Sequence, residues 1–156
     1  MRAITVQQPW AFAIATGAKT VENRTRRTPW HIAVGQQVAI HAGKAWDSTA
    51  VHDERLIAAA KAAGHLFVVE ELDPAAYEYG AVLAVADVAG VHLGVSRPGG
   101  CRCSWNQWAE PGAWHLVLRG VQRLSRPVPS RGYQGLWSLP HDVEAQVRAQ
   151  PAKAVA

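Results

Sequence analysis

A chain of 156 residues, 49% of them hydrophobic, fits one domain and can bury a real core. Sixteen Lys and Arg against twelve Asp and Glu give a formal net charge of +4, a moderately basic balance. Met1–Val6 lacks the apolar run of a signal peptide and no window approaches the ~18 apolar residues of a membrane span, so a cytoplasmic protein without membrane contact is expected. The two cysteines, Cys101 and Cys103, stand one residue apart, which excludes the disulfide framework of a small secreted domain.

After a short β-rich start, Pro9 can open a helix because its missing N–H falls where no intrahelical partner exists, and Gly17 can close it in a left-handed turn. Trp10, Phe12, Ala13 and Ile14 are too apolar for a solvated face, so this helix of about two turns is expected inside a core. Lys19-Thr20-Val21-Glu22-Asn23-Arg24 follows as a polar strand. Alternation places Thr20, Glu22 and Arg24 on one side and Lys19, Val21 and Asn23 on the other. With Val21 inward, Glu22 and Arg24 face a cleft or solvent. An edge strand carrying a solvated Glu22/Arg24 pair fits the same pattern.

Thr25–Pro29 reads as a basic loop tipped by Arg26 and Arg27, Trp30–Ile32 as a brief apolar element, and Gly35 as a turn. Gln37–His41 alternates like a strand that ends at Ala42-Gly43-Lys44, leaving His41 and Lys44 at a strand terminus, where functional groups often sit. Asp47 or Ser48 can cap a helix running to about Ala63, with Val51, Leu56, Ile57 and Ala60 as its apolar stripe and Gly64 closing it. Ala75–Tyr79 could add one helical turn. Gly80–Leu93 is the clearest long strand, with a bend or bulge at Gly90.

Ser96–Gly112 should be an extended loop, and loops of that length are usually functional or mobile. Within it, Cys101 and Cys103 together with His92 or His115 could bind zinc, but there is no second well-spaced Cys or His pair, so neither a metal nor a cofactor is expected. Ala113–Leu124 is another strand. Arg126–Pro129 reads as an extended edge, since proline cannot join a central ladder. Arg131–Trp137 is a turn feeding a final strand, Asp142–Gln150 a helix, and Pro151 onward a tail. No repeat or linker divides the chain. About six strands with few, short helices suggest an α+β fold built on a small barrel.

Charge is uneven along the chain. Lys19–Arg27 holds four cations and one anion, and Arg119–Arg131 holds four arginines and no carboxylate, whereas Glu70, Glu71, Asp73 and Glu78 form an acidic stretch. A polyanion-binding face opposed to a solvating face would give this asymmetry; charges scattered for solubility would also give it. Most of the seven tryptophans should be core, and one or two beside arginines could stack on bases.

Four segments carry a family likeness: Gln8-Pro9-Trp10-Ala11; Gly17 through Arg24; Gly35 with Ile40-His41-Ala42 and Lys44; and Pro127-Val128-Pro129 through Gly135-Leu136-Trp137. In that order and spacing the chain resembles the ASCH domain family, a branch of the PUA-like superfamily, from about Arg2 to Pro140. The resemblance implies a PUA-like small mixed β-barrel of about six strands flanked by short helices, an α+β fold with a cleft between the first helix and the barrel. The ASCH domain would occupy residues 1–140, followed by a C-terminal helix and tail over 141–156. It further implies RNA, DNA or a nucleotide as ligand. One branch of the family hydrolyses acylated cytidine nucleosides with a lysine just after the first helix, a threonine three residues on and a later glutamate, and nuclease activity has been proposed for other members. Lys19 matches that lysine. Glu22 stands at the threonine position, with a hydroxyl only at Thr20, and the later glutamate is not placed by motif.

Two functional readings follow, and whether the protein is an enzyme stays open between them. As a nucleic-acid-binding module, Arg24, Arg26, Arg27, Arg126 and Arg131 would neutralise phosphates, Tyr133 or Trp137 would stack on a base, Gln8 and Asn23 would read base edges, and Trp10 would complete the surface. As a hydrolase, Glu22 would activate water, Lys19 would stabilise an oxyanion, and His41 or Lys44 would assist the leaving group. Duller roles fit too: Glu22 and Arg24 as a strand-locking ion pair, His41 as a satisfied half-buried histidine, Trp137 as core. A protein partner is a third option, with Trp105 and Trp108 as its contacts.

Overall fold

A computed structural model describes residues 1–25, 32–64, 72–94, 103, 105–151 and 153–154. The expectations for Arg26, Arg27, Trp30, His31, Glu70, Glu71 and Cys101 fall outside the described residues. The strands are β1 (Arg2–Gln8), β2 (Val21–Arg24), β3 (Gln37–Trp46), β4 (Ala81–Leu93), β5 (Trp114–Pro129), β6 (Leu136–Ser138) and the two-residue β7 (Lys153–Ala154). The helices are α1 (Trp10–Ala15), α2 (Glu54–Ala62) and α3 (His141–Arg148).

One mixed sheet runs in the order β2-β5-β4-β3-β1-β6, with β7 added to β5. Among the described residues only β1 and β3 pair parallel. Three strands separate β2 from β1 in this order, yet Arg24 of β2 donates from Nη2 to the Thr5 carbonyl of β1 at 2.8 Å. That reach requires the sheet to curl back on itself, as the right-handed twist of strands favours. The result is a curled half-barrel with α1 held against its wall.

α1 starts directly after Pro9 and the chain is turned beyond it by Gly17 at φ +80°, as its local chemistry predicts. Ala11 to Ala15 are all buried, because the helix divides two cores. Ala11 and Ile14 face Ile4, Ile40, Val88 and Leu116 inside the half-barrel, while Phe12 and Ala13 face Leu56, Leu72, Tyr77 and Trp108 outside it. On the far face, Val143 and Val147, one turn apart on α3, pack with Val85, Val128 and Trp137.

Three sequence expectations are corrected. The helix expected from Asp47 to Ala63 is two pieces, a short 3₁₀ turn at Ser48–Ala50 and α2, because Asp47 and Asp53 each cap one. Asp53 accepts from the N–H groups of Arg55 and Leu56, which starts a new helix and does not continue the first. β3 extends through Lys44 to Trp46, so His41 and Lys44 sit within a strand and not at its end. The strand expected to stop at Leu124 runs on as β5 through Pro129, where Val128 and Pro129 pair with Val82 and Ala81 of β4 and Arg126–Pro129 forms the expected edge. Proline is accommodated there because β2 pairs with β5 only from Trp114 to Val117, so the other side of the ladder carries no β2 donor requirement at that end. At Gly90 the β4–β5 register shifts, in agreement with the expected bulge.

Candidate functional site

A cleft of about 440 Å³ opens beside α1, lined by side chains from β1, α1, β2, the Asp47 turn, α2 and the segment before β5. Lys19 is its centre. Alternation had set Lys19 opposite Glu22, but β2 begins at Val21, so Lys19 precedes the pleat and its chain turns back over the strand. Its ammonium donates to the Val21 carbonyl and lies 3.5 Å from Glu22 Oε2. It also stands 5.7 Å and 5.9 Å from the ring centres of Trp10 and Trp108, close enough for cation–π attraction. Burial pulls the Lys19 pKa below its ordinary value, opposed by the Glu22 carboxylate.

Glu22 is gripped from both sides, since Arg24 Nε lies 3.2 Å from its other oxygen. The pair is therefore neither solvated nor isolated: it joins a Lys–Glu–Arg chain whose last member spans to β1 through the Thr5 carbonyl. Trp10 donates from Nε1 to Asp47 Oδ2 at 2.8 Å, and the Thr49 hydroxyl, with this indole N–H, holds the Asp47 pKa below its ordinary value. Arg55, fixed by the Asp53 carboxylate, lies 4.7 Å over the Trp108 ring.

Trp108 is 3% exposed and donates to the Ala18 carbonyl at 2.7 Å. It forms a wall of the cleft and is no surface contact, which corrects its expected part in a protein interface; Trp105, at 83% exposed, remains on the surface. Asn23 locks this wall in place. Its Nδ2 donates to the Trp108 carbonyl at 2.7 Å and its Oδ1 accepts from the Glu110 N–H at 3.2 Å, so its amide is engaged by the protein's own backbone.

The structure thus brings together Trp10, Lys19, Glu22, Asn23 and Arg24 from the anticipated set. Others lie elsewhere. Gln8 is fully buried, its Oε1 accepting from the Phe12 N–H at 3.0 Å and its Nε2 donating to the Glu78 carbonyl at 2.6 Å. This amide ties α1 to the turn before β4. His41 is 1% exposed and donates from Nε2 to the Ser130 carbonyl at 3.0 Å, edge-on to Trp137. Trp137 is buried, with Nε1 donating to Thr5 Oγ1 at 3.1 Å. Tyr133 and Arg131 are exposed and stack on each other, Arg126 lies exposed beside Gln150, and Lys44 is exposed on β3; none of these four lines the cleft.

The sequence reading missed Thr5, Asp47, Arg55, Trp108 and Glu110 as cleft residues. The Asp47 capping signal was visible, but its second bond, to Trp10, depends on tertiary approach. With these residues in place the cleft holds Lys19, Arg24 and Arg55 against Glu22, Asp47 and Glu110. Among the described lining residues, cations and carboxylates are equal in number.

No family model matches the sequence, and no curated protein matches it. The fold has clear counterparts among solved structures. The ASCH protein of Zymomonas mobilis superposes with a TM-score of 0.56 at 19% identity, covering 96% of this chain and 95% of that one. A tyrosine-to-phenylalanine variant of the same protein gives 0.56 at 20% identity over 96% and 98%, and a serine-to-alanine variant gives 0.55 at 19% identity over 96% of both. The class is thus an α+β half-barrel with short flanking helices. The chain shares the fold of the ASCH protein over almost its whole length. Among the described residues no helix is long and apolar enough to cross a membrane.

Proposed function

We propose that the protein binds nucleic acid and that the cleft beside α1 receives one unpaired nucleotide of an RNA or DNA strand. The observation that carries this reading is the meeting of an indole, Trp10, with Lys19, Arg24 and Arg55 in a single cleft of about 440 Å³. That volume suits a nucleotide and not a duplex, and ligand pockets of this size typically combine aromatic walls with a few placed polar groups. A base can lie against Trp10 while Gln7 and Thr49 at the mouth meet its edges and the guanidinium groups meet a phosphate. Because the described cations and carboxylates of the lining are equal in number, fit contributes to binding here beside any long-range field.

A second reading, hydrolysis of a modified nucleoside, is favoured by the Lys19–Glu22 pair itself. A buried amine of lowered pKa beside a carboxylate in a cleft is a common catalytic arrangement. In an amide hydrolysis, Glu22 would take a proton from water as its oxygen attacks the acyl carbonyl. Lys19 would donate to the developing oxyanion, and the proton would pass from Glu22 to the leaving amine as the C–N bond breaks. A nuclease would use the same pair on a phosphodiester.

The deciding experiment is a fluorescence-anisotropy titration with labelled single- and double-stranded RNA and DNA at low and near-physiological salt, each sample then run on a denaturing gel. Binding to intact single strands that weakens in Trp10→Ala supports the module. Absence of binding to every polymer overturns it and directs the search to nucleosides. Strands shortened by the wild type and left whole by Glu22→Gln identify a nuclease.

A further inference from the structure

Outside the lining of the cleft, two histidines and a cysteine converge. His92 on β4 and His115 on β5 are direct cross-strand partners, so the sheet register alone sets their rings side by side, with centres 5.5 Å apart. Between them sits Cys103. Its Sγ lies 3.0 Å from His92 Nε2 and 2.9 Å from His115 Nδ1. The three ligand-type atoms lie within 4.8 Å of one another. Cys103 and His115 are buried and His92 is half-buried.

We propose that His92, Cys103 and His115 form a zinc-type site that pins the Trp108 wall of the cleft to the β4–β5 hairpin. Two features beyond proximity support a metal. The first is orientation: His115 Nε2 lies 2.8 Å from the Glu110 carbonyl and donates its proton there, which leaves the Nδ1 lone pair aimed at the sulfur. Metal-binding histidines are habitually oriented in this way, by a carbonyl on the far ring nitrogen. The second is built space. A Cβ on Gly94 would stand 2.3 Å from His115 Cε1 and 2.6 Å from Nε2, so this ring position exists only because residue 94 is glycine.

A nucleophilic cysteine is the rival reading, and the geometry disfavours it. A catalytic dyad needs one base on the sulfur and an orienting group on that base. His115 alone meets that description, but a second imidazole, His92, also addresses the sulfur, and Cys103 at 5% exposed offers little of it to a substrate. Zinc with one thiolate and two imidazoles at ~2.3 Å and ~2.0–2.1 Å separates its ligands by roughly 3.4–3.6 Å, so the two sulfur–nitrogen distances need open by only about half an ångström. One thiol proton leaves as the ion enters. The tetrahedral shell is completed by a fourth ligand such as water.

The site lies where it can organise the cleft. The Cys103 carbonyl accepts from the Asn106 N–H at 2.9 Å, Asn106 Oδ1 accepts from the Trp108 N–H at 2.9 Å, and Asn106 Nδ2 donates to Thr20 Oγ1 at 2.8 Å. An ion on Cys103 and His115 would thus fix the run from Cys103 to Glu110 at both ends. The spacing of one cysteine and two strand histidines, eleven and twelve residues apart, has none of the paired pattern by which zinc sites are read from sequence.

The test is metal analysis of the full chain, purified without a metal-affinity tag or chelator, followed by cobalt titration of the metal-stripped protein. About one zinc per chain that survives dialysis, and a near-ultraviolet thiolate-to-cobalt band, are expected. The band should vanish in Cys103→Ser, and His92→Gln, which changes a half-buried group and keeps the fold by circular dichroism, should weaken cobalt binding at least tenfold. A wild-type chain that retains no zinc and binds no cobalt overturns the proposal. So does a band that persists in Cys103→Ser.

Discussion

Lys19 Nζ and Glu22 Oε2 stand 3.5 Å apart with 3% and 9% of their side chains exposed, an ion pair held almost entirely out of water. Removing one partner of such a pair costs more than removing both, because the survivor keeps its desolvation penalty without its counter-charge. Glu22→Gln should therefore destabilise by about 3 kcal/mol, and adding Lys19→Met should recover part of that loss. Urea unfolding of the two single variants and the double variant measures both. A double variant less stable than Glu22→Gln alone would contradict this account of the pair.

The same lysine predicts a slope with pH. Its folded pKa is held below 10.5, so the unfolded chain binds that proton more tightly. Its unfavourable contribution is fully present below the folded value and is relieved as pH rises from there toward 10.5. A series of unfolding midpoints across this alkaline range should climb relative to Lys19→Met. Parallel curves for the two proteins would contradict the assignment.

His41 acts on the acid side. Burial lowers its pKa from 6.5, so it folds neutral and must charge on unfolding. Its stability contribution is complete above 6.5 and is lost as pH falls from that value to the folded pKa. His41→Gln should flatten the acid limb of the stability profile. Its ring is also boxed in: a Cβ on Gly132 would lie 2.4 Å from His41 Cε1 and 2.8 Å from Thr5 Oγ1, so Gly132→Ala should cost about 1–3 kcal/mol through overpacking. Thermal melts compare the two variants directly.

Gln8, expected from sequence to read bases, instead has both amide ends committed within the fold. Gln8→Leu should strand the Phe12 N–H and the Glu78 carbonyl and cost about 2 kcal/mol or more. Oligonucleotide affinity measured on the folded variant should remain near wild type. A selective loss of affinity without loss of stability would return Gln8 to the binding surface.

Arg126 and Arg131 lie away from the cleft. Reversing both to Glu should leave binding of a single nucleotide within twofold of wild type, while Arg24→Ala should weaken it by about 1–3 kcal/mol, roughly fivefold or more. Calorimetric titration with nucleoside monophosphates gives the comparison. Equal losses in the two variants would show that the ligand is held elsewhere.

Elements governed by neighbouring residues were legible in the sequence. Pro9 and Gly17 bound α1 because capping is local, and the Val-rich alternation from Ala81 gave β4. The likeness of the ordered motifs to ASCH proteins anticipated the fold that the solved structures share. What was not legible depends on where the chain returns. Asp47 meets Trp10 across 37 positions and Asn23 meets the Trp108 carbonyl across 85, and no local pattern encodes either approach. The placement of Lys19 failed for a finer reason, since one residue of doubt about where β2 begins moves a side chain to the other face.

β1 ends as an interior strand, flanked by β3 on one side and by Leu136–Ser138 on the other. On a translating ribosome Arg2–Gln8 emerges well before its second neighbour, Leu136–Ser138, has been made. Until that segment arrives, a nascent chain carries an open strand edge. That edge is where a chaperone, or another growing copy, would find it first.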